Sequence, residues 1–313
     1  MEDLVTVVIP TWHRPDRILR AVNSAQKQTC RVQIIVVDDN GIGTKEQRAT
    51  QSMLLEKSGN GEILYLVNER NCGGSYSRNR GLHQAQGDYI TFLDDDDEIA
   101  PRKLEVQMKM LREAGSAYTC CYCAYHKISA SGKIYRSHET VAGDVLPYAL
   151  ARSIYLGSGS NLLVRTQTAR MIGGYDESFK RNQDLEFFVR VVEQGKLVYA
   201  PYDLLTIHYE IREEKRDYRQ LVDIDTFYLE KMKKRIASLA PLQQKAVYQT
   251  AALERWRYGL SRHQYWDGLR NLKENQVTLH VWLRYVGYLL KRVICRQSMG
   301  FKWMEKEDMY EAK

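Results

Sequence analysis

The order of short apolar runs and helix-like stretches in the first hundred residues constrains the fold more than any other feature. Strand-like runs rich in Val, Ile and Leu lie at 5–9, 32–37, 63–67 and 88–93. Pro15 lies near the start of the first helix-like stretch, Thr44 fits the N-cap of the second, and the third begins at Ser75. Strands that are apolar on both faces occur in parallel sheets covered by helices. The sequence therefore predicts an α/β fold with a mostly parallel sheet and helices on both faces.

The pattern changes in the second third of the chain. Aromatic strands with a turn at Ser131-Gly132 occupy about 117–137, and strand and helix patterns continue to His208. Beyond about 213 the chain reads as entirely helical. We therefore expect an α/β domain over 1–212, with halves at about 1–100 and about 101–212, and a helical C-terminal extension over 213–313.

Charge and composition narrow the functional classes. The net charge is +7, but residues 1–210 hold 25 Lys and Arg against 26 Asp and Glu, whereas residues 211–313 hold 21 against 13. The positive charge therefore belongs to the tail, where an anionic partner would bind. No recognised nucleic-acid-binding module accompanies it, so nucleic acid is not expected as a partner. The sequence shows no secretory leader and no apolar run long enough to span a membrane. Its six Cys lack both the spacing of zinc ligands and the density of a disulfide-rich secreted domain. We therefore expect a cytoplasmic protein.

Polar residues follow three of the predicted strands. Thr11 to Arg14 follow the first, Asp38 and Asp39 the second, and the run Asp94 to Asp97 the fourth. Ligands of open α/β sheets bind beyond the carboxyl ends of the strands. Adjacent carboxylates that enter a cleft need a cation, and oxygen ligands suit Mg²⁺ or Mn²⁺ bridging to a diphosphate. The alternative is a solvated acidic turn that caps the helix beginning at Pro101.

Two nucleotide-binding classes are disfavoured. The glycine-rich segment Asn71-Cys72-Gly73-Gly74 leads into a helix with Arg78, but it lacks the Gly-Lys-Ser/Thr of a P-loop. Pro10-Thr11 stands where a dinucleotide-binding fold would carry glycines after its first strand. The sequence therefore argues against a P-loop ATPase and against an NAD enzyme.

Taken together, these segments resemble family 2 glycosyltransferases of the GT-A (Rossmann-like) fold. The resemblance covers about 4–208 and includes Gly173-Gly-Tyr-Asp-Glu and Gln183-Asp-Leu-Glu-Phe-Phe. It implies an inverting, metal-dependent enzyme with a nucleotide-binding half at about 1–100 and an acceptor-binding half at about 101–212. The implied nucleotide-binding residues are Pro10, Thr11, His13, Arg14, Asp39, Asn71, Gly73, Arg78, Asp94 and Asp95.

The same resemblance assigns the chemistry. Asp39 corresponds to the carboxylate that binds a uracil base, so a UDP-sugar is the expected donor. Asp96 and His208 correspond to ligands of Mn²⁺ or Mg²⁺, although a structural role for His208 is an open alternative. Asp184 corresponds to the general base that deprotonates the acceptor hydroxyl. Its alternative is an acid that complements a helix dipole, with Glu186 and Glu177 as fallback bases.

The expected acceptor is a saccharide or lipid-linked saccharide of surface polysaccharide biosynthesis. Trp282, Tyr285, Val286, Leu289 and Val293 share one face of a tail helix, which would pack on the catalytic domain or a second subunit, or contact the inner face of the membrane as a peripheral protein. Competing functions are a sugar nucleotidyltransferase and a non-catalytic carbohydrate-binding protein on a transferase fold.

Overall fold

A computed structural model describes residues 3–209 and 216–303. These residues form two compact units. The first contains 3–144 and 156–209, and the second contains 145–155 and 216–303. The second unit thus includes a short segment from the middle of the chain, which the sequence pattern did not predict.

The described residues of the first unit form nine strands and six α-helices, in an order that matches the predicted alternation. The strands are β1 (Val5–Thr11), β2 (Val32–Asp38), β3 (Leu64–Val67), β4 (Tyr89–Phe92), β5 (Glu98–Ile99), β6 (Tyr118–Ser129), β7 (Ile134–Ser137), β8 (Leu163–Arg165) and β9 (Lys196–Tyr209). The helices are α1 (Ile18–Gln26), α2 (Lys45–Gly59), α3 (Gly74–Gln84), α4 (Lys103–Ala114), α6 (Thr166–Met171) and α7 (Gln183–Glu193).

The sheet is parallel in its first half and mixed in its second. Strand β1 pairs in parallel with β2 and with β4, and β3 pairs in parallel with β2. Strand β8 runs antiparallel to β4 and to β6, β7 runs antiparallel to β6, and β9 runs parallel to β6. The predicted α/β fold with helices flanking the sheet is confirmed. Because Thr11 lies opposite Asp38 in the register, the ends of β1 and β2 meet at one edge of the sheet.

The second unit is helical, as predicted for the tail. Its helices are α5 (Leu146–Leu150), α8 (Tyr218–Ala237), α9 (Pro241–Ser261), α10 (Tyr265–Glu274) and α11 (Leu279–Ile294), followed by the short strand β10 (Gln297–Ser298). Leu253, Trp256, Tyr285 and Phe301 form its buried apolar cluster. The buried Asp225 carboxylate forms ion pairs with Arg152 and Arg255. Within 3–209 and 216–303, no helix has the length and apolar character needed to cross a membrane.

Candidate active site

Hydrogen bonds join the loops that follow β1, β2 and β4. The Thr11 hydroxyl, at the end of β1, donates to the Asp95 carboxylate at 2.7 Å. The backbone N–H of His13 donates to Asn40 Oδ1, also at 2.7 Å. Pro10 lies in β1 opposite Val37. The carboxyl ends of three parallel strands therefore form one continuous polar edge, as the strand order predicts.

Asp38 and Asp39 organise the loops on the β2 side. Buried Asp38 accepts hydrogen bonds from Asn40 and from the Tyr65 hydroxyl. It therefore holds its own turn in place. The family resemblance gave the base-binding role to Asp39 and no role to Asp38.

Asp39 fixes the glycine-rich segment that follows β3. Its Oδ1 accepts from Asn68 Nδ2 at 2.6 Å and from the Cys72 N–H at 2.8 Å, and its Oδ2 accepts from the Gly73 N–H at 2.8 Å. Gly73 has φ +91°, which a residue with a side chain rarely adopts. Asn71, two residues before Gly73, is exposed. Among the described residues, Asp39 Oδ2 accepts only the bond from Gly73, and a carboxylate oxygen has two lone pairs.

Two arginines, one from the loop after β1 and one from α3, form ion pairs with the acidic run after β4. Arg14 Nη1 lies 3.1 Å from Asp95 Oδ1 and 2.5 Å from Asp96 Oδ2. Arg78, buried on α3, forms an ion pair with Asp94 at 2.6 Å. Burial raises the pKa of Asp95 to about 6, against the Thr11 hydrogen bond and Arg14, which lower it. Burial also raises the pKa of Asp96, with Arg14 acting in the opposite direction.

Asp97 does not cap the following helix, contrary to the alternative reading of the run. The N-cap of α4 is Arg102, whereas the buried Asp97 carboxylate accepts from the hydroxyls of Ser158 and Ser160 at 2.7 and 2.6 Å. Burial, with the nearby charge of Asp94, raises the pKa of Asp97 to about 8. The buried side chain of Asp97 thus joins the acidic run to the segment before β8 through hydrogen bonds.

Asp184 lies in the first turn of α7 beside this acidic run. Its Oδ1 is buried, and no described residue forms a hydrogen bond with it. Burial raises the pKa of Asp184, the positive charge of Arg78 lowers it, and the negative charge of Asp94 raises it further. The backbone of Gly159 passes so close that a Cβ there would lie 2.8 Å from Asp184 Oδ1. A carboxylate with a raised pKa and an unused oxygen has the properties of a general base.

The two fallback carboxylates are held by other groups. Glu186 is buried and forms an ion pair with Arg190, which also donates to the carbonyls of Ile172 and Gly174. Glu177 accepts from the Asn79 side chain at 2.9 Å. Asp184 is therefore the better placed of the three for proton transfer.

His208 lies near Asp96 and fits a role in metal binding. Its Nε2 is buried, lies 3.8 Å from Glu98 Oε2 and has no hydrogen-bond partner among the described residues. Burial and the positive charge of Arg20 lower the pKa of His208, which favours the neutral imidazole that binds metals. In the described part of the chain, no group of three or more metal-binding side chains converges. Mg²⁺ and Mn²⁺ sites of transferases use one or two carboxylates plus substrate phosphates, so Asp96 and His208 fit such an ion.

The segment Gly157-Ser158-Gly159-Ser160 was missed by sequence reasoning. Its serines hold Asp97, the Ser160 hydroxyl accepts from the Asp94 N–H at 2.9 Å, and Gly159 contacts Asp184. The alternation of Gly and Ser ahead of a buried strand was the available signal. Trp12, the residue after Thr11, is 52% exposed.

The sequence matches one family of known proteins. The model described as Glycosyl transferase family 2 matches residues 6–173. An uncharacterised glycosyltransferase of Methanocaldococcus jannaschii is 27% identical over 194 residues, which are 60% of this chain and 64% of the relative. The amylovoran biosynthesis glycosyltransferase AmsB of Erwinia amylovora is 24% identical over 246 residues, which are 74% of this chain and 79% of AmsB.

Solved structures share the fold. The crystal structure of S. aureus TarS 1-349 in complex with UDP has a TM-score of 0.60 at 17% identity, covering 94% of this chain and 81% of that one. The mannosyltransferase PcManGT of Pyrobaculum calidifontis, in complex with GDP-Man and Mn²⁺, has a TM-score of 0.58 at 14% identity, covering 93% and 81%. The chain spans 28% of the length of a Rickettsia bellii relative and 64% of the M. jannaschii relative.

Proposed function

The chain belongs to glycosyl transferase family 2, and we propose that it transfers a sugar from a nucleoside-diphosphate sugar to an acceptor hydroxyl. The observation that carries this proposal is the buried, unpartnered Oδ1 of Asp184 beside the Arg78–Asp94 ion pair. A buried carboxylate oxygen without a partner costs free energy unless a ligand donates to it. An acceptor hydroxyl is such a donor.

Asp184 acts as the base in this reaction. Its Oδ1 accepts the proton of the acceptor hydroxyl as that oxygen attacks the anomeric carbon and the bond to the diphosphate breaks. One displacement on the face opposite the leaving group inverts the anomeric configuration. Arg78 orients the site by holding Asp94, and its positive charge favours the ionised form of Asp184.

The donor lies along the polar edge of the sheet. Asp39 reads the base, with Pro10, Thr11, His13, Asn71 and Gly73 lining the nucleotide, and Asp94 and Asp95 facing the ribose and phosphates. Arg14 and Arg78 supply positive charge near the phosphates. A UDP-sugar is the proposed donor; TarS was crystallised with UDP and with UDP-GlcNAc, which supports this choice.

A divalent ion, Mn²⁺ or Mg²⁺, would stabilise the negative charge of the leaving diphosphate. Asp96 and His208 are the residues that would hold it, and PcManGT was crystallised with Mn²⁺. Arg14 meanwhile limits repulsion within the acidic run through its ion pairs with Asp95 and Asp96.

We place the catalytic domain at 1–212, with the nucleotide half at about 1–100 and the acceptor half at about 101–212, and the extension at 213–313. The acceptor is a saccharide or lipid-linked saccharide of surface polysaccharide synthesis, a proposal supported by the similarity to AmsB. A cytoplasmic location at the inner face of the membrane suits such an acceptor.

The direct test is turnover of a panel of nucleotide sugars by the full chain. We expect hydrolysis of a UDP-sugar with Mn²⁺ that EDTA abolishes and added Mn²⁺ restores. Release of diphosphate from UTP and a sugar 1-phosphate would identify a nucleotidyltransferase instead. Absence of both turnover and metal-dependent UDP binding would leave only a non-catalytic protein.

A further inference from the structure

Helix α11 has two apolar faces, of which one is buried. Trp282, Tyr285, Val286 and Leu289 pack in the cluster around Leu253, Trp256 and Phe301. These four residues belong to the face expected from the sequence to pack or to meet a membrane. The structure assigns that face to packing within the second unit, so its apolar surface is already covered.

The second apolar face of α11 is open to solvent. Its residues are Leu279, Leu283, Leu290, Val293 and Ile294, with exposed fractions of 70, 54, 57, 74 and 75%. Their spacing places them on one side of the helix. Val293, grouped by the sequence pattern with the buried face, lies here instead. A row of large exposed aliphatic side chains on one side of a helix is typical of an interaction surface.

The charged residues of the α11 segment itself are all basic. Residues 279–296 contain no Asp or Glu, and Lys291 and Arg296 are exposed at the C-terminal end of the helix. Two other arginines of α11 form hydrogen bonds within the second unit. Arg284 donates to the carbonyls of Lys302 and Trp303, and Arg292 donates to the Tyr288 hydroxyl. The stripe is therefore an apolar surface with a basic border.

We propose that this stripe, Leu279 to Ile294, docks on an anionic lipid surface. Aliphatic side chains would enter the headgroup–acyl boundary while Lys291 and Arg296 contact anionic headgroups. A second copy is a poorer occupant, because a two-fold interface pairs a patch with itself and would bring these cations together. The helix lies in the membrane surface without crossing it. This proposal rests on the membrane location given under the proposed function and names the surface that would contact the lipid. Lipid binding by this surface does not depend on the sugar-transfer reaction.

The test is co-sedimentation of the full chain with vesicles. We expect binding to vesicles of equal parts phosphatidylglycerol and phosphatidylcholine, little binding to phosphatidylcholine alone, and weakening by salt. The double variant Leu290→Glu/Ile294→Glu should lose binding by at least about tenfold. Lys291→Gln/Arg296→Gln should weaken binding to the anionic vesicles and remove its salt dependence.

Leu55→Glu is the matched control, because Leu55 on α2 is an equally exposed leucine at 65%. It should bind vesicles as the unmodified chain does. Circular dichroism should show that all variants keep their helix content, and UDP-sugar hydrolysis without vesicles should be unchanged, so failure here is distinct from failure of the proposed reaction. Equal binding to neutral vesicles, or a dimer in sedimentation velocity that the double variant dissociates, would overturn the proposal.

Discussion

Gly159→Ala should displace the side chain of Asp184, the proposed base, while leaving its carboxyl group chemically unchanged. The added Cβ would lie 2.8 Å from Asp184 Oδ1 and 3.0 Å from its Cγ, whereas ordinary contacts begin at 3.4 Å. Gly159 does not have a positive φ, so alanine strains no backbone angle and the side chain of Asp184 must move. The required displacement is 3.4 minus 2.8, or about 0.6 Å.

A misplacement of about 1 Å in an active site costs on the order of a hundredfold in rate. A shift of about 0.6 Å should therefore lower kcat about tenfold, equivalent to about 1.4 kcal/mol in the activation barrier. The assay is steady-state sugar transfer at saturating donor, together with the KM for the donor, which should change little. Gly59→Ala is the control, because a Cβ at Gly59 meets nothing within 4 Å. Unchanged kcat for Gly159→Ala, or equal loss in both variants, would refute the placement of Asp184.

Three further substitutions test the electrostatics. Asp97→Asn removes a carboxyl group whose pKa in the folded protein, about 8, lies above its ordinary value. From about pH 4 to 8 the folded protein therefore binds more protons than the unfolded chain, and its stability falls as the pH rises. The melting temperature of the variant should fall less than that of the unmodified chain over this pH range. Arg78→Gln removes a charge that lowers the pKa of Asp184, so the acidic limb of the kcat profile should move to higher pH; a stationary limb would contradict that coupling. Asp225→Asn should lower the free energy of unfolding in urea by about 3 kcal/mol, because it breaks buried ion pairs, whereas Asp223→Asn on the exposed side of α8 should change it by less than about 0.5 kcal/mol.

The secondary structure of the first half of the α/β domain could be predicted from local sequence patterns. Apolar runs bounded by turn residues marked β1 to β4, and Thr44 caps α2 as its position indicated, accepting from the Gln47 N–H. Strand β9 was harder to predict, because its pairing with β6 and its length over Lys196–Tyr209 depend on contacts distant in sequence. The same holds for α5, which belongs to the second unit although it lies between β7 and β8 in the chain.

At the site, the sequence named residues at the strand ends but not their partners. It identified Thr11 and the acidic run as separate features. The hydrogen bond between Thr11 and Asp95, which are 84 residues apart in the sequence, could not be predicted. It offered Asp97 as a helix cap, whereas the serines that bind it come from a loop about sixty residues away. Such pairings follow from the strand order of the sheet, which single-sequence periodicity does not encode.

The most direct test of the proposed chemistry is Asp184→Asn, measured for transfer and for UDP binding on the same preparation. Asparagine keeps the shape of the side chain but cannot accept a proton, so transfer should fall by at least about a thousandfold. UDP affinity with Mn²⁺ should stay within about threefold, because Asp184 is not among the proposed nucleotide ligands. Transfer that survives in the variant, or a loss of transfer matched by an equal loss of UDP affinity, would contradict the assignment of Asp184 as the base.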